Sequence, residues 1–198
     1  MFVLGVTGNS GSGKSSVAKL LVEKNAYIID ADMLARKVLD VDGRAYGETV
    51  EFFGGAIVNE DKTINRKVLS DIVFGEPAKL AALNEITHKH ILEYIYDDIK
   101  AVSEAGQYSF IVVDAPLLFE SGLDKICNSV WVVDAPHEQK LNRITKRDGI
   151  AVEQAIQRLT RQTLAEELIQ KCDNVIHNDF GLDYLAAQVE GLLLKLDI

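Results

Sequence analysis

Five short segments of the chain are rich in apolar and β-branched residues and end at glycine, acidic or polar positions. They lie at residues 2–7, 26–30, 109–114, 129–134 and 174–177. Runs of this length and composition are typical of β-strands. The third and fourth segments, 109–114 and 129–134, are almost continuously apolar, which indicates parallel strands that are covered on both faces.

Between these segments the apolar residues recur at helical spacing. The pattern predicts helices at 14–23, 137–147, 152–170 and 182–196, and a long helix whose first turn contains Pro77. Strands that alternate with helices predict an α/β fold of three layers, with a parallel sheet between helices. Residues 43–105 carry only helical patterns and loops, so we expect a helical insertion between strands there.

Composition and charge narrow the class of function. The 198 residues suit one compact domain, and 21 basic against 30 acidic residues give a formal net charge of −9. Nucleic acids and anionic membranes attract basic surfaces, so we expect neither as a partner. The two cysteines, Cys127 and Cys172, form no metal-binding motif and predict free thiols. No apolar run approaches the ~20 residues of a membrane span, and no basic leader precedes residues 2–7, so we expect a cytoplasmic protein.

The strongest motif lies between the first strand and the first helix. The sequence of residues 8–15, GNSGSGKS, matches GxxxxGK[ST] at every fixed position and in the required context. Glycines let the loop curl so that its amides point inward, and the following helix adds positive potential. Lys14 can reach the outer phosphates of a nucleotide, and the Ser15 hydroxyl can bind Mg²⁺. We expect ATP, since no credible guanine-reading motif follows.

Acidic residues at strand ends are candidates for the chemistry. Asp30 ends the second strand and Asp32 follows it two residues later. Either can accept a proton from an attacking hydroxyl, help to hold a metal or cap the next helix. Asp114 ends the third strand, where a carboxylate can hold Mg²⁺ through water.

Arginines are concentrated near residue 150 in this acidic chain. Arg143 and Arg147 are four apart on one predicted helix, while Arg158 and Arg161 are three apart on the next, so each pair shares a face. On a mobile segment they can close over ATP, or they can pair with nearby acids such as Asp148.

Several segments together resemble one family, and they span essentially the whole chain in order. They are TGNSGSGKSS, IDADMLAR, LNEITHKHI, APLLFESG, RITKRDG and CDNVIHND. In this combination the sequence resembles the dephospho-coenzyme A kinases. The resemblance implies an ATP-dependent kinase for the ribose 3′-hydroxyl of dephospho-CoA, the last step of coenzyme A synthesis.

The resemblance also implies an organisation and a set of site residues. The core would comprise about 1–42, 106–136 and 171–198, with a substrate-binding insertion at 43–105 and a lid at 137–170. Asp32 would be the general base and Lys14 and Arg143 catalytic. The expected ATP-binding residues are Gly8, Asn9, Ser10, Gly11, Ser12, Gly13, Lys14, Ser15, Ser16, Arg143 and Arg147. The expected substrate-binding residues are Asp32, Arg36, Arg66, His88 and Glu120.

Two positions depart from the family pattern on the substrate side. Lys89 follows His88 where the family has proline, and Asn65 precedes Arg66 where the family has an acid. Neither departure touches the phosphate loop or Asp32.

Two other functions stay open at this stage. One is another small-molecule P-loop kinase, acting on a nucleoside monophosphate or a sugar acid. The other is a nucleotide-dependent switch that regulates a partner protein. The sequence leaves the oligomeric state open, and a monomer is the working expectation because no self-complementary apolar stripe stands out.

Overall fold

The computed structural model describes residues 1–196 and 198. It divides into two compact units. The first unit comprises Met1–Ile29 and Ala101–Ile198, and the second comprises Asp30–Lys100.

One five-stranded sheet forms the centre of the first unit. Its strands are β1 (Phe2–Thr7), β2 (Ala26–Asp30), β3 (Phe110–Asp114), β4 (Ser129–Asp134) and β5 (Asn174–His177). They lie in the order β2-β3-β1-β4-β5, and β1 pairs in parallel with both β3 and β4, as β4 does with β5. All five strands match the predicted positions within one residue.

The described residues contain nine α-helices. They are α1 (Lys14–Glu23), α2 (Ala31–Lys37), α3 (Tyr46–Phe53), α4 (Arg66–Gly75), α5 (Pro77–Ala105), α6 (His137–Asp148), α7 (Val152–Thr160), α8 (Ala165–Lys171) and α9 (Leu182–Leu196). None of these helices, within residues 1–196 and 198, is both long and apolar enough to cross a bilayer.

The main core of the first unit lies between the sheet and two helices. On one face, Trp131 and Phe110 pack with apolar residues of α1 and α9, and both are almost fully buried. Alternate strand residues such as Ile111 and Val132 point to the opposite face and are buried as well. On that side, α8 packs against β4. The prediction of a three-layer α/β fold with a parallel sheet is therefore confirmed.

One predicted helix is wrong. The segment 152–170 forms two helices, α7 and α8, separated by residues 161–164. The apolar pattern breaks there, because Ala155 and Leu159 are buried while Leu164 is 61% exposed. Arg161 is the C-cap of α7, one residue beyond its last helical residue.

The second unit consists of helices and loops. Its buried apolar residues come from α2, α4, α5 and the short 3₁₀ turn Gly55–Ile57. They include Leu34, Ile57, Leu69, Ile91 and Ile95. Pro77 begins α5 as predicted, where its missing N–H leaves no hydrogen bond unmade.

Candidate active site

The loop between β1 and α1 has the backbone that a phosphate-binding loop requires. Gly8 and Gly13 have φ of 146° and 102°, which side chains with a Cβ disfavour. The surroundings are also tight, since a Cβ on Gly8 would overlap the Val133 carbonyl and one on Gly13 the Asn178 amide. Both glycines are thus needed for the path of the chain as well as for its conformation.

Lys14 and Ser15 begin α1 at the end of this loop. The Lys14 ammonium donates a hydrogen bond to the Gly8 carbonyl at 3.1 Å, so it lies back across the loop. The amides of the first helical turn have no acceptor within the helix and favour anions. Together they make a positive site suited to a polyphosphate.

Oxygen donors suited to Mg²⁺ are present in the first unit. Ser15 is exposed in the first turn of α1, and Asp114 is the last residue of β3. Hydroxyl and carboxylate oxygens are ligands that Mg²⁺ accepts, with phosphates and water completing its shell. Among residues 1–196 and 198, no group of three or more His, Cys, Asp or Glu side chains is arranged to hold a metal. The oxygen donors of Ser15 and Asp114 fit the ligand chemistry of Mg²⁺.

Arg143 and Asn178 bind the carbonyl oxygens of the loop. One Arg143 nitrogen donates to the carbonyls of Gly11 and Ser12, each at 3.1 Å. The other donates to the Asn178 carbonyl and the Gln139 side chain at 3.0 and 2.9 Å. The Asn178 side-chain amide donates to the same Ser12 carbonyl at 2.8 Å in a buried setting. These bonds fix the loop from its carbonyl side.

A partly buried ion pair lies at the start of α6. The Lys140 ammonium and the Asp134 carboxylate are 2.7 Å apart, and the lysine side chain is only 8% exposed. Asp134 ends β4 and Lys140 lies one turn into α6, so the pair ties the helix to the sheet edge. A cavity of about 430 Å³ beside this pair is also lined by Asn9, His137 and Asp179.

The turn between α7 and α8 is hydrogen-bonded to the phosphate loop. The Ser10 amide donates to Gln162 Oε1 at 2.9 Å, and the Asn9 side chain donates to the Thr163 carbonyl at 3.2 Å. The Thr163 hydroxyl donates to the Glu120 carboxylate. Glu120, predicted to contact substrate, is thus engaged by this turn.

Arg147 has a different environment from Arg143. It is exposed and pairs with Asp148 through two of its nitrogens, at 2.7 and 3.0 Å. Arg158 of α7 binds the same carboxylate. The pKa of Asp148 is lowered to about 2, mainly by its hydrogen bond with Arg147 and to a smaller extent by its pairing with Arg158. Arg147 is therefore held at the junction of α6 and α7, and its predicted contact with ATP stays a prediction.

In the second unit, the two candidate acids have separate roles. The Asp30 carboxylate accepts a hydrogen bond from the Met33 amide at 2.9 Å and caps the start of α2. Asp32 lies in the first turn of α2 and is exposed. Asp30 is thus engaged as the helix cap, and the role of Asp32 as general base stays a prediction.

Of the two arginines predicted to bind substrate, Arg66 contacts the backbone of Arg36. Arg66 begins α4 and donates to the Arg36 carbonyl at 3.0 Å and to Asp40 at 3.4 Å. Asn65 caps α4 by accepting from the Val68 amide at 3.1 Å. The family's acid at this position can cap a helix in the same way, so the departure leaves the start of α4 intact.

His88 and Lys89 lie inside α5. His88 is partly buried, and burial lowers its pKa. Lys89 continues the 29-residue helix and pairs with Glu48 at 3.3 Å. Since lysine has the backbone N–H that proline lacks, α5 passes through this position without a break.

Sequence reasoning missed two residues whose side chains bind the phosphate loop, Asn178 and Gln162. Asn178 carried a usable signal, because it directly follows β5, and the strand ends are where ligands bind in such sheets. Gln162 carried none, since the predicted helix 152–170 placed it in mid-helix.

The family comparison supplies the identification. Residues 2–183 match the family model for dephospho-CoA kinase. The chain belongs to the dephospho-CoA kinase family. Among curated members, the dephospho-CoA kinase of Carboxydothermus hydrogenoformans is 38% identical over 193 residues, which cover 98% of this chain and 93% of the relative. That of Lactobacillus johnsonii is 34% identical and covers 98% of both chains.

Solved structures agree with this membership. The dephospho-CoA kinase of Campylobacter jejuni superposes with a TM-score of 0.71 at 27% identity, covering 98% of this chain and 96% of that one. The family resemblance inferred from the six sequence segments is thereby confirmed, and membership favours a phosphotransferase over a nucleotide-dependent switch.

Proposed function

We propose that the protein transfers the terminal phosphoryl group of ATP to the ribose 3′-hydroxyl of dephospho-CoA, giving coenzyme A and ADP. The observation that carries the proposal is the phosphate loop with its helix terminus and Lys14, in a chain that belongs to this family. No feature of the described residues favours a nucleoside monophosphate or a sugar acid as the acceptor.

In the proposed mechanism the acceptor oxygen attacks the γ-phosphorus in line. The new O3′–P bond forms as the bond between phosphorus and the β–γ bridging oxygen breaks, and ADP leaves with that electron pair. Asp32 orients the hydroxyl and takes its proton. Lys14 and the loop amides stabilise the negative charge on the phosphates. Arg143 supports this by holding the loop through its carbonyls.

Mg²⁺ belongs to the proposal as the ion that accompanies ATP. Ser15 would hold it directly and Asp114 through water. When bound, the ion neutralises charge on the phosphate oxygens.

Substrate contacts come from the second unit in this proposal. Arg36 and Arg66 supply positive charge for the phosphates of dephospho-CoA, and His88 is a further contact. Exposed arginines suit phosphate groups because their planar donors match phosphate oxygens. Glu120 stays a proposed contact. We propose a cytoplasmic, monomeric enzyme without nucleic-acid or membrane partners.

A coupled assay of ADP formation tests the acceptor. Dephospho-CoA is compared with nucleoside monophosphates and gluconate, and the position of the new phosphate is determined by NMR. We expect transfer to dephospho-CoA alone, at the 3′ position. Faster transfer to another acceptor would reject the proposed substrate.

A matched pair of substitutions tests the base. Asp32→Asn should lower kcat by about 10²- to 10⁴-fold, the usual range for a general base, with little change in ATP binding. Asp30→Asn is the control, because asparagine also caps a helix and removes a neighbouring carboxylate. Equal losses in both variants, or normal turnover in Asp32→Asn, would reject the assignment.

A further inference from the structure

The turn between α7 and α8, residues 161–164, is fastened to the phosphate loop at two points and to Glu120 at a third. Gln162 accepts from the backbone of Ser10, and the Thr163 carbonyl accepts from the side chain of Asn9. The Thr163 hydroxyl adds the bond to Glu120. All five residues belong to the first unit. The contact joins segments more than 150 residues apart in sequence.

The chemistry of the Gln162 contact is specific. Ser10 contributes a backbone amide, so no substitution at Ser10 other than proline removes the donor. The amide must be met by the oxygen of the carboxamide, which orients the side chain and leaves its NH₂ group as a donor beside the loop. Such donors suit phosphate oxygens.

The rest of the segment has its own attachment. Ala155 and Leu159 of α7 pack with Ile144 of α6 in a small separate core. Arg143 fixes α6 to the loop. The first attachment of α7 to the loop is therefore indirect, through α6. Gln162 and Thr163 provide a second, direct attachment at the carboxyl end of α7.

We propose that Gln162 is a positioning residue for phosphoryl transfer. Through the Ser10 amide, with Thr163 as a second tie, it holds the turn 161–164 over the phosphate loop. This attachment determines the fraction of γ-phosphoryl groups that is transferred to the 3′-hydroxyl of dephospho-CoA. Water is the competing acceptor, and its attack converts ATP to ADP and inorganic phosphate. The inference rests on the proposed kinase function.

Three variants separate this role from a merely structural one. Gln162→Met keeps the length of the side chain but removes its acceptor. Gln162→Glu keeps an acceptor for Ser10 and removes the NH₂ donor. Gln157→Met is the control, because Gln157 is an exposed glutamine on α7 itself. Thermal melting of each variant establishes that it folds.

Four quantities are measured: kcat for transfer to dephospho-CoA, KM for ATP, the ADP formed per coenzyme A, and the exchange rate of the Ser10 amide proton by NMR. In Gln162→Met we expect faster Ser10 exchange, kcat lowered about fivefold to tenfold by the loss of one hydrogen bond, and more ADP per coenzyme A. KM for ATP should change by less than about threefold, since the phosphate-facing amides persist.

The other variants sharpen the result. Gln162→Glu should keep slow Ser10 exchange and the wild-type ratio of ADP to coenzyme A, with a higher KM for ATP because its charge repels phosphate. Gln157→Met should match the wild type throughout.

Distinct outcomes reject distinct claims. If Gln162→Met exchanges Ser10 faster yet keeps the wild-type kcat and ratio, the positioning role is wrong. If it instead binds ATP more tightly, Gln162 competes with phosphate for the Ser10 amide and the inference is also overturned. Wild-type protein that forms no coenzyme A would reject the proposed function itself.

Discussion

Arg143 and Asn178 show how single side chains shape the phosphate loop. Both donate to the Ser12 carbonyl, and Arg143 also binds the carbonyl of Gly11. A loop whose carbonyls are bound from one side presents its amides to the other, where a polyphosphate needs donors. These two residues therefore fix the conformation of the loop from its carbonyl side.

Substitution of Asn178 tests this support. Asn178→Ala removes a buried hydrogen bond and leaves the Ser12 carbonyl one donor short, so stability should fall by about 1–3 kcal/mol. Affinity for ADP, measured by calorimetry, should weaken as well. Asn142→Ala, at an exposed position of α6, should change neither quantity. Unchanged ADP affinity in a destabilised Asn178→Ala protein would contradict the supporting role.

Arg143 and Arg147 should behave differently on conservative substitution. Arg143→Lys cannot replace four hydrogen bonds made by one guanidinium, so nucleotide affinity should fall about tenfold or more. Arg147→Lys keeps a charge beside Asp148 and should have a much smaller effect. Isothermal titration with ADP and with an ATP analogue compares the variants. Equal losses would mean that Arg147 contributes to nucleotide binding as much as Arg143 does.

Helices α6 and α7 are joined by packing and by charge. Ile144 packs with Leu159, and Asp148 at the end of α6 binds both Arg147 and Arg158. Asp148 thus joins the two helices by pairing with one arginine from each. Its lowered pKa shows that the folded protein favours the ionised carboxylate.

The contribution of Asp148 to stability should depend on pH. Because its pKa falls from 3.8 to about 2 on folding, the contribution is complete above pH 3.8 and is lost as pH falls towards 2. Thermal melting of the wild type and Asp148→Asn from pH 7 to pH 2 checks this sign. The melting temperatures should differ at neutral pH and converge in acid. A gap that widens in acid would contradict the assigned direction.

Nucleotide binding should stabilise the whole molecule by mass action. ATP with Mg²⁺ at a hundredfold excess over Kd should add about 2.7 kcal/mol to the free energy of unfolding, seen as a higher melting temperature. Lys14→Ala should remove most of this shift, since it removes the ammonium that we propose binds the phosphates. Lys19→Ala, exposed on α1, is the control and should retain it. A full shift in Lys14→Ala would argue against a role for Lys14 in binding.

The division into two units bears on how function is distributed along the chain. The phosphate loop, Arg143 and Gln162 belong to the first unit, whereas Asp32, Arg36, Arg66 and His88 belong to the second. Nucleotide-binding and acceptor-side candidates thus fall in different parts of the fold.

Local pattern was sufficient for most of the elements. Strand β4, for example, is a run of consecutive buried residues, and Pro77 marked the start of α5. The same reasoning failed at residues 161–164. The charged sequence around them is compatible with one continuous helix, but α7 ends before these residues and α8 begins after them. Nothing in the sequence spacing shows that Gln162 and Thr163 bind a loop more than 150 residues away.

The amino-acid order alone was enough to establish the α/β architecture, the phosphate loop and the family, because periodicity and turn chemistry act over a few neighbouring residues. Three-dimensional packing decided which side chains serve that loop. Arg143 and Asn178 reach it from the segments after β4 and β5, because the parallel strands end at one edge of the sheet. Gln162 reaches it from the turn between α7 and α8. Packing also assigned the helix cap to Asp30, which left Asp32 exposed, since a hydrogen bond to a particular amide depends on geometry that spacing does not specify.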